Sequence, residues 1–144
     1  MTASIQTKEQ MGKLINTMAS DHNGRAYLLS NNAKTLEKLL NIAKMEASDS
    51  HLRQNLFGVL QKLSLRRECQ SIMIRNGWVG YLLALLEDVE SLSEYSIEYS
   101  SALLMNLCLR TQGKKVCAQN PSKSLKILLE LIEHDNVQVN IIID

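Results

Sequence analysis

The sequence predicts an all-α fold, a right-handed α-solenoid built from three-helix repeats, on three observations. Helix breakers are scarce, with one proline and six glycines in 144 residues, and aromatic or β-branched runs are sparse. The pattern Leu-x-x-Leu-Leu occurs three times, at Leu36-Leu39-Leu40, Leu82-Leu85-Leu86 and Leu125-Leu128-Leu129, its starts 46 and 43 residues apart. Out of phase with it, Leu60-Gln61-Lys62-Leu63-Ser64-Leu65-Arg66 returns as Leu104-Met105-Asn106-Leu107-Cys108-Leu109-Arg110 at a spacing of 44.

A period of about 40–47 residues with two or three helices marks armadillo and HEAT arrays, whose repeats stack because none can bury its apolar face alone. A turn signal precedes each leucine motif: Asn31-Asn32, Asn76-Gly77 and Asn120-Pro121. Each repeat therefore reads as a short first helix (about 25–30, 68–75 and 114–118), a turn, a second helix with the leucines, and a longer third helix. The short first helix makes the repeats armadillo-like. The third helices fall near 51–65 and 93–110, with Leu14, Ile15 and Met18 marking an earlier one. In the clearest, Ile97, Leu104 and Leu107 form the packing stripe, and Glu94, Glu98 and Asn106 are expected to face outward. The whole of 1–144 is expected to be one array of about three repeats, with 1–9 flexible. Val137 to Ile143 reads as a further third helix broken off mid-repeat, which would leave the last leucine stripe exposed.

Composition and motifs point away from chemistry. Sixteen Lys and Arg balance fifteen Asp and Glu, so no excess of positive charge suggests nucleic acid or an anionic membrane surface. The longest apolar run, Val79 to Leu86, is far shorter than the roughly 20 residues a membrane crossing needs, so no membrane insertion is expected. Residues 1–10 lack the apolar segment of a secretory signal, which leaves the cytoplasm as the expected location. Cys69, Cys108 and Cys117 lie inside apolar helical patterns without Cys-x-x-Cys spacing and read as buried, reduced thiols. His22, His51 and His134 are too scattered for a metal site, and no phosphate-binding loop or nucleophile elbow occurs, so neither cofactor nor enzymatic activity is expected. The carboxylates from Glu87 to Glu98 suit a helix start, where acids oppose the positive end of the dipole. Trp78 reads as a packing residue.

Several stretches carry more than generic repeat character: Gln10-Met11-Gly12-Lys13-Leu14, Leu60 to Arg67, and above all Leu92-Ser93-Glu94-Tyr95 through Glu98-Tyr99-Ser100 to Ala102–Arg110. Over about Gln10 to His134 the chain resembles the LisH-domain ciliary armadillo proteins. That resemblance implies a non-enzymatic scaffold of the basal body, centriole and cilium. Such a scaffold acts in cilium assembly and stability and in hedgehog-type signalling, with a TOG-domain microtubule regulator as partner. The LisH dimerisation motif and acidic tail of that family have no counterpart in these residues, so self-association through LisH is not implied. The alternative is a cytosolic peptide or cargo adaptor unrelated to cilia.

Two surfaces are candidates for partner binding. Third helices line the concave groove of an armadillo superhelix, which nominates Gln54, Gly58, Gln61 and Lys62, then Glu98, Ala102, Met105 and Asn106. Asn106 matches the asparagine with which importin-like and catenin-like arrays hold peptide backbone. Lys62 replaces it one repeat earlier, and Gly58 and Ala102 occupy the tryptophan positions, so a nuclear-signal clamp is not built. The second surface is a basic edge of Arg66, Arg67, Arg110, Lys114 and Lys115, on turns leaving the third helices, expected to meet an acidic partner such as a tubulin tail.

Overall fold

The computed structural model describes residues 3–134, and among these the regular structure is entirely helical. The helices are α1 (Ile5–Ser20), α2 (His22–Leu28), α3 (Lys34–Met45), α4 (His51–Leu63), α5 (Arg67–Arg75), α6 (Trp78–Leu85), α7 (Glu94–Cys108), α8 (Thr111–Cys117) and α9 (Pro121–Ile132), with a 3₁₀ turn at Val89–Ser91 before α7. In the terms of the expected repeats, α1 takes the place of a third helix, α2–α3–α4 and α5–α6–α7 those of whole repeats, and α8–α9 those of the first two helices of another.

The period is written in the backbone. Each first helix starts from an extended residue at a sharp corner: Asp21 at φ −92°, ψ 146°, Arg66 at −97°, 130°, and Arg110 at −90°, 139°. At the first and third corners the longer helix packs against the next first helix, α1 on α2 and α7 on α8. At the first, Asp21 accepts hydrogen bonds from the Asn23 and Gly24 N–H groups, which hold its carboxyl below the usual carboxylate range. That capping contribution is complete above the free aspartate pKa and is lost as pH falls through the lowered one. At the same corner Arg25 donates to the Ala19 carbonyl at 2.8 Å, and at the second Gln70 donates to the Ser64 carbonyl, also at 2.8 Å. In both, a side chain from the first helix satisfies a backbone carbonyl at the corner.

The turn from first to second helix repeats as well. Ala33 and Gly77, 44 residues apart, hold the left-handed conformation immediately before α3 and α6, at φ 64° and 73°. Before α9 the corresponding turn changes form, because Pro121 disfavours a helical or left-handed residue ahead of it; Asn120 sits at φ −136° and caps the Lys123 N–H instead. Alanine pays for this geometry and glycine does not, so Ala33→Gly is expected to raise unfolding free energy by about 1 kcal/mol in urea titrations.

The chain divides into two compact units, Met1–Leu63 and Ser64–Asp144. In the first, α4 packs chiefly on α1 and then on α3. Gly12 lies at the close α1–α4 contact, where a Cβ would stand 3.0 Å from the end of the Leu52 side chain and require it to give by a few tenths of an ångström. Its core gathers Leu36, Leu39 and Leu40 with Leu56, Phe57, Leu60 and Leu63. In the second, α7 meets α5, α6 and α8 around Met73, Trp78, Leu82, Leu86, Ile97, Leu103 and Leu107, all fully or almost fully buried.

Residues 1–9 are helical from Ile5 onward, and Ser4 caps the helix by accepting from the Thr7 N–H. In the third leucine motif Leu125, Leu128 and Leu129 are exposed, as the sequence led one to expect, while Ile127 and Leu131, between and beyond them, are buried. Asn106 does not face outward but is buried, as are nine of the fifteen residues of α7. Val137 to Ile143 lie outside the described residues.

Candidate protein-interaction surface

The eight groove candidates are not equally available. On α4, Gly58 is buried, and Gln54 is half-buried and donates to the Asp49 carbonyl at 3.1 Å. Gln61 is half-buried. Lys62 is committed to α1, its Nζ donating to Asn16 Oδ1 at 2.7 Å, Ser20 Oγ at 2.8 Å and the Asn16 carbonyl at 3.3 Å. A cation there meets the negative end of the α1 dipole, while partial burial and the nearby Arg25 lower its affinity for the proton. On α7, Ala102 is buried and Glu98 half-buried, and only Met105 is exposed. Asn106 donates from Nδ2 to Ser64 Oγ at 2.8 Å within the second unit. Its side chain therefore braces α7 against the corner before α5 rather than offering an amide to a peptide.

The basic edge divides in two. Arg67 and Arg110 line a groove of about 610 Å³ together with Ser71, Arg75, Thr111 and Gln112, with Ile74 and Leu109 as its apolar part. Arg75 extends the predicted set, and its signal was available: Arg67, Ser71 and Arg75 are spaced i, i+4, i+8 along α5 and share one face. Among the described residues none of the three arginines is in an ion pair. Lys114 belongs elsewhere, lining an apolar cleft of about 500 Å³ between α7, α8 and α9 that also contains Cys108 and Cys117. Lys115 is exposed, and Arg66 is half-buried as the residue that opens α5.

A separate acidic groove of about 530 Å³ gathers Glu87, Asp88, Glu90 and Glu94 with Glu130 and Glu133. Glu87 at its border pairs with Lys123 at 2.7 Å. Among the described residues no three His, Cys, Asp or Glu side chains are placed to hold a metal ion, and no helix is long and apolar enough to cross a membrane. Cys69 is buried as expected, whereas Cys108 and Cys117 are half-buried and adjacent, which a linear spacing of nine residues did not reveal. Trp78 is fully buried, its ring tilted 60° against Tyr81 at 4.9 Å, in keeping with a packing role.

A family model described as the armadillo repeats of LisH domain-containing protein ARMC9 matches residues 73–144. The chain belongs to the ARMC9 family. Its relatives of that name include the protein of Danio rerio, 48% identical over 132 residues, that of Mus musculus, 46% over 136, and that of Homo sapiens, 45% over 138. Those matches cover 92%, 94% and 96% of this chain but only 16%, 16% and 17% of the respective relatives, so the chain spans about a sixth of the ARMC9 proteins it matches. The likeness reaches across both compact units and supports a repeat-based interaction module for this part of an ARMC9 protein.

Proposed function

We propose that this ARMC9-family segment is a non-enzymatic scaffold module of the basal body, centriole and cilium, serving cilium assembly, stability and signalling. Its repeats form a right-handed solenoid, and it engages its partner by an acidic segment laid into the groove of Arg67, Arg75 and Arg110. The observation that carries the reading is that these three guanidiniums share one groove without a carboxylate in ion-pair contact among the described residues. Guanidinium charge is permanent and its fork suits carboxylates, so an unneutralised cluster favours an acidic chain over a neutral or basic one. Ser71, Thr111 and Gln112 add polar contacts along the same wall. An acidic stretch of a microtubule-associated or tubulin-tail kind fits this chemistry, as does a TOG-domain regulator presenting such a stretch.

The test is a pull-down between the chain and acidic peptides at rising ionic strength. Wild-type binding is expected to fall steeply between low and physiological salt, since exposed charges are screened beyond about 8 Å at 0.15 M. The triple substitution Arg67→Glu, Arg75→Glu and Arg110→Glu is expected to weaken binding at least tenfold with an unchanged circular dichroism spectrum. Binding that survives the reversal rejects the groove, and proximity labelling of the full-length protein that recovers no ciliary or centriolar neighbours rejects the location.

A further inference from the structure

Cys108 is the last residue of α7 and Cys117 the last of α8, and their sulfurs stand 3.5 Å apart. A disulfide bond is about 2.05 Å long, so the sulfurs need to close by only about 1.5 Å. The corner between the helices fixes this proximity. Gly113 lets α8 press onto the end of α7, where a Cβ would meet the Leu107 carbonyl oxygen at 2.2 Å. At the other end of α8, Ser124 donates to the Cys117 carbonyl at 2.9 Å and ties that residue to α9. Both cysteines line the apolar cleft of the second unit, so the side chains have open volume beside them in which to turn. Cys69 is buried in α5 and serves as an internal reference.

We propose that Cys108 and Cys117 form a dithiol–disulfide couple, a modification site for small-molecule disulfides such as oxidised glutathione. In the first step the thiolate of one cysteine attacks a sulfur of the oxidant, whose disulfide breaks. One thiolate leaves and takes up a proton, and the protein keeps a mixed disulfide. In the second step the neighbouring cysteine, already within 3.5 Å, attacks the protein-side sulfur and expels the second thiol. Two protein S–H bonds are lost, one S–S bond forms, and the oxidant is reduced to two thiols. Burial, and after it the adjacent Cys117, pushes the Cys108 thiol up to about 12. Attack by Cys108 is therefore slow at neutral pH, and the equilibrium rather than the rate is the quantity to read.

The 144-residue chain is to be equilibrated with mixtures of reduced and oxidised glutathione and analysed by mass spectrometry without reduction. The expected product is a Cys108–Cys117 disulfide with no glutathione retained, so that the free thiols fall from three to one. Cys117→Ser is expected to stop at a glutathione adduct on Cys108, with Cys117→Ala as the second variant if serine disturbs the fold. Cys69→Ser is expected to leave the couple intact. Separate glutathione adducts on Cys108 and Cys117 of the wild-type chain overturn the proposal. So do three free thiols in the folded chain under mixtures that oxidise the same chain in urea.

Discussion

Gly113→Ala is expected to destabilise the chain by about 2–3 kcal/mol, although alanine is the better helix former by about 1 kcal/mol. Gly113 is the third residue of α8, counted from the corner at Arg110, and an added Cβ would lie 2.2 Å from the Leu107 carbonyl oxygen and 2.8 Å from its carbon. Neither atom is the end of a flexible side chain, so the backbone of α7 or α8 must move. Gly24 occupies the same place in α2, with the Met18 carbonyl oxygen 1.9 Å from the Cβ position, and Gly24→Ala carries the same expectation. Gly80, exposed in α6 with nothing within 4 Å of its Cβ position, provides the opposite sign: Gly80→Ala is expected to stabilise by about 0.5–1 kcal/mol. Urea denaturation of the three variants tests the set, and a Gly113→Ala midpoint equal to wild type defeats the account of the corner. The middle corner has Cys69 at the matching place, so it accommodates a side chain that the other two exclude.

Trp78→Ala is expected to cost about 3–5 kcal/mol, the usual range for removing a large buried aromatic side chain. Trp78 is fully buried as the first residue of α6, and it is the largest side chain in the core of the second unit. Its loss leaves a cavity among helices that cannot collapse freely, because the left-handed Gly77 fixes where α6 begins. Trp78→Phe retains most of the apolar volume and is expected to cost a fraction of that amount. Thermal melts of both variants decide the point; an alanine variant within 1 kcal/mol of wild type places the indole outside the packing that holds the unit together.

The turns were legible in the sequence because their chemistry is local. Asn76-Gly77 and Asn120-Pro121 each mark a helix boundary through backbone restrictions carried by those residues alone. The 44-residue recurrence of Leu60–Arg66 at Leu104–Arg110 likewise located two corners, since both stretches end where an extended arginine opens a first helix. Helix faces were less legible. A stripe of Ile97, Leu104 and Leu107 identifies one buried side of α7, but the helix is enclosed on most sides, and periodicity does not say which polar residues are enclosed with it. Asn106 is one of them, held by a hydroxyl 42 positions earlier in the chain. The adjacency of Cys108 and Cys117 depends on how tightly α8 folds back onto α7, which no spacing rule encodes. Arg75 lies outside the turns that define the expected basic edge and reaches the groove from the far end of α5.

A net charge of +1 conceals an uneven distribution. The arginine groove and the carboxylate groove of the second unit share no residue, so the near cancellation sums two clusters of opposite sign rather than an even mixture. An acidic body is drawn to the first of these clusters and repelled by the second before it makes contact. In dilute buffer the same two clusters favour copies of the chain meeting with unlike grooves together, an attraction that modest amounts of salt remove.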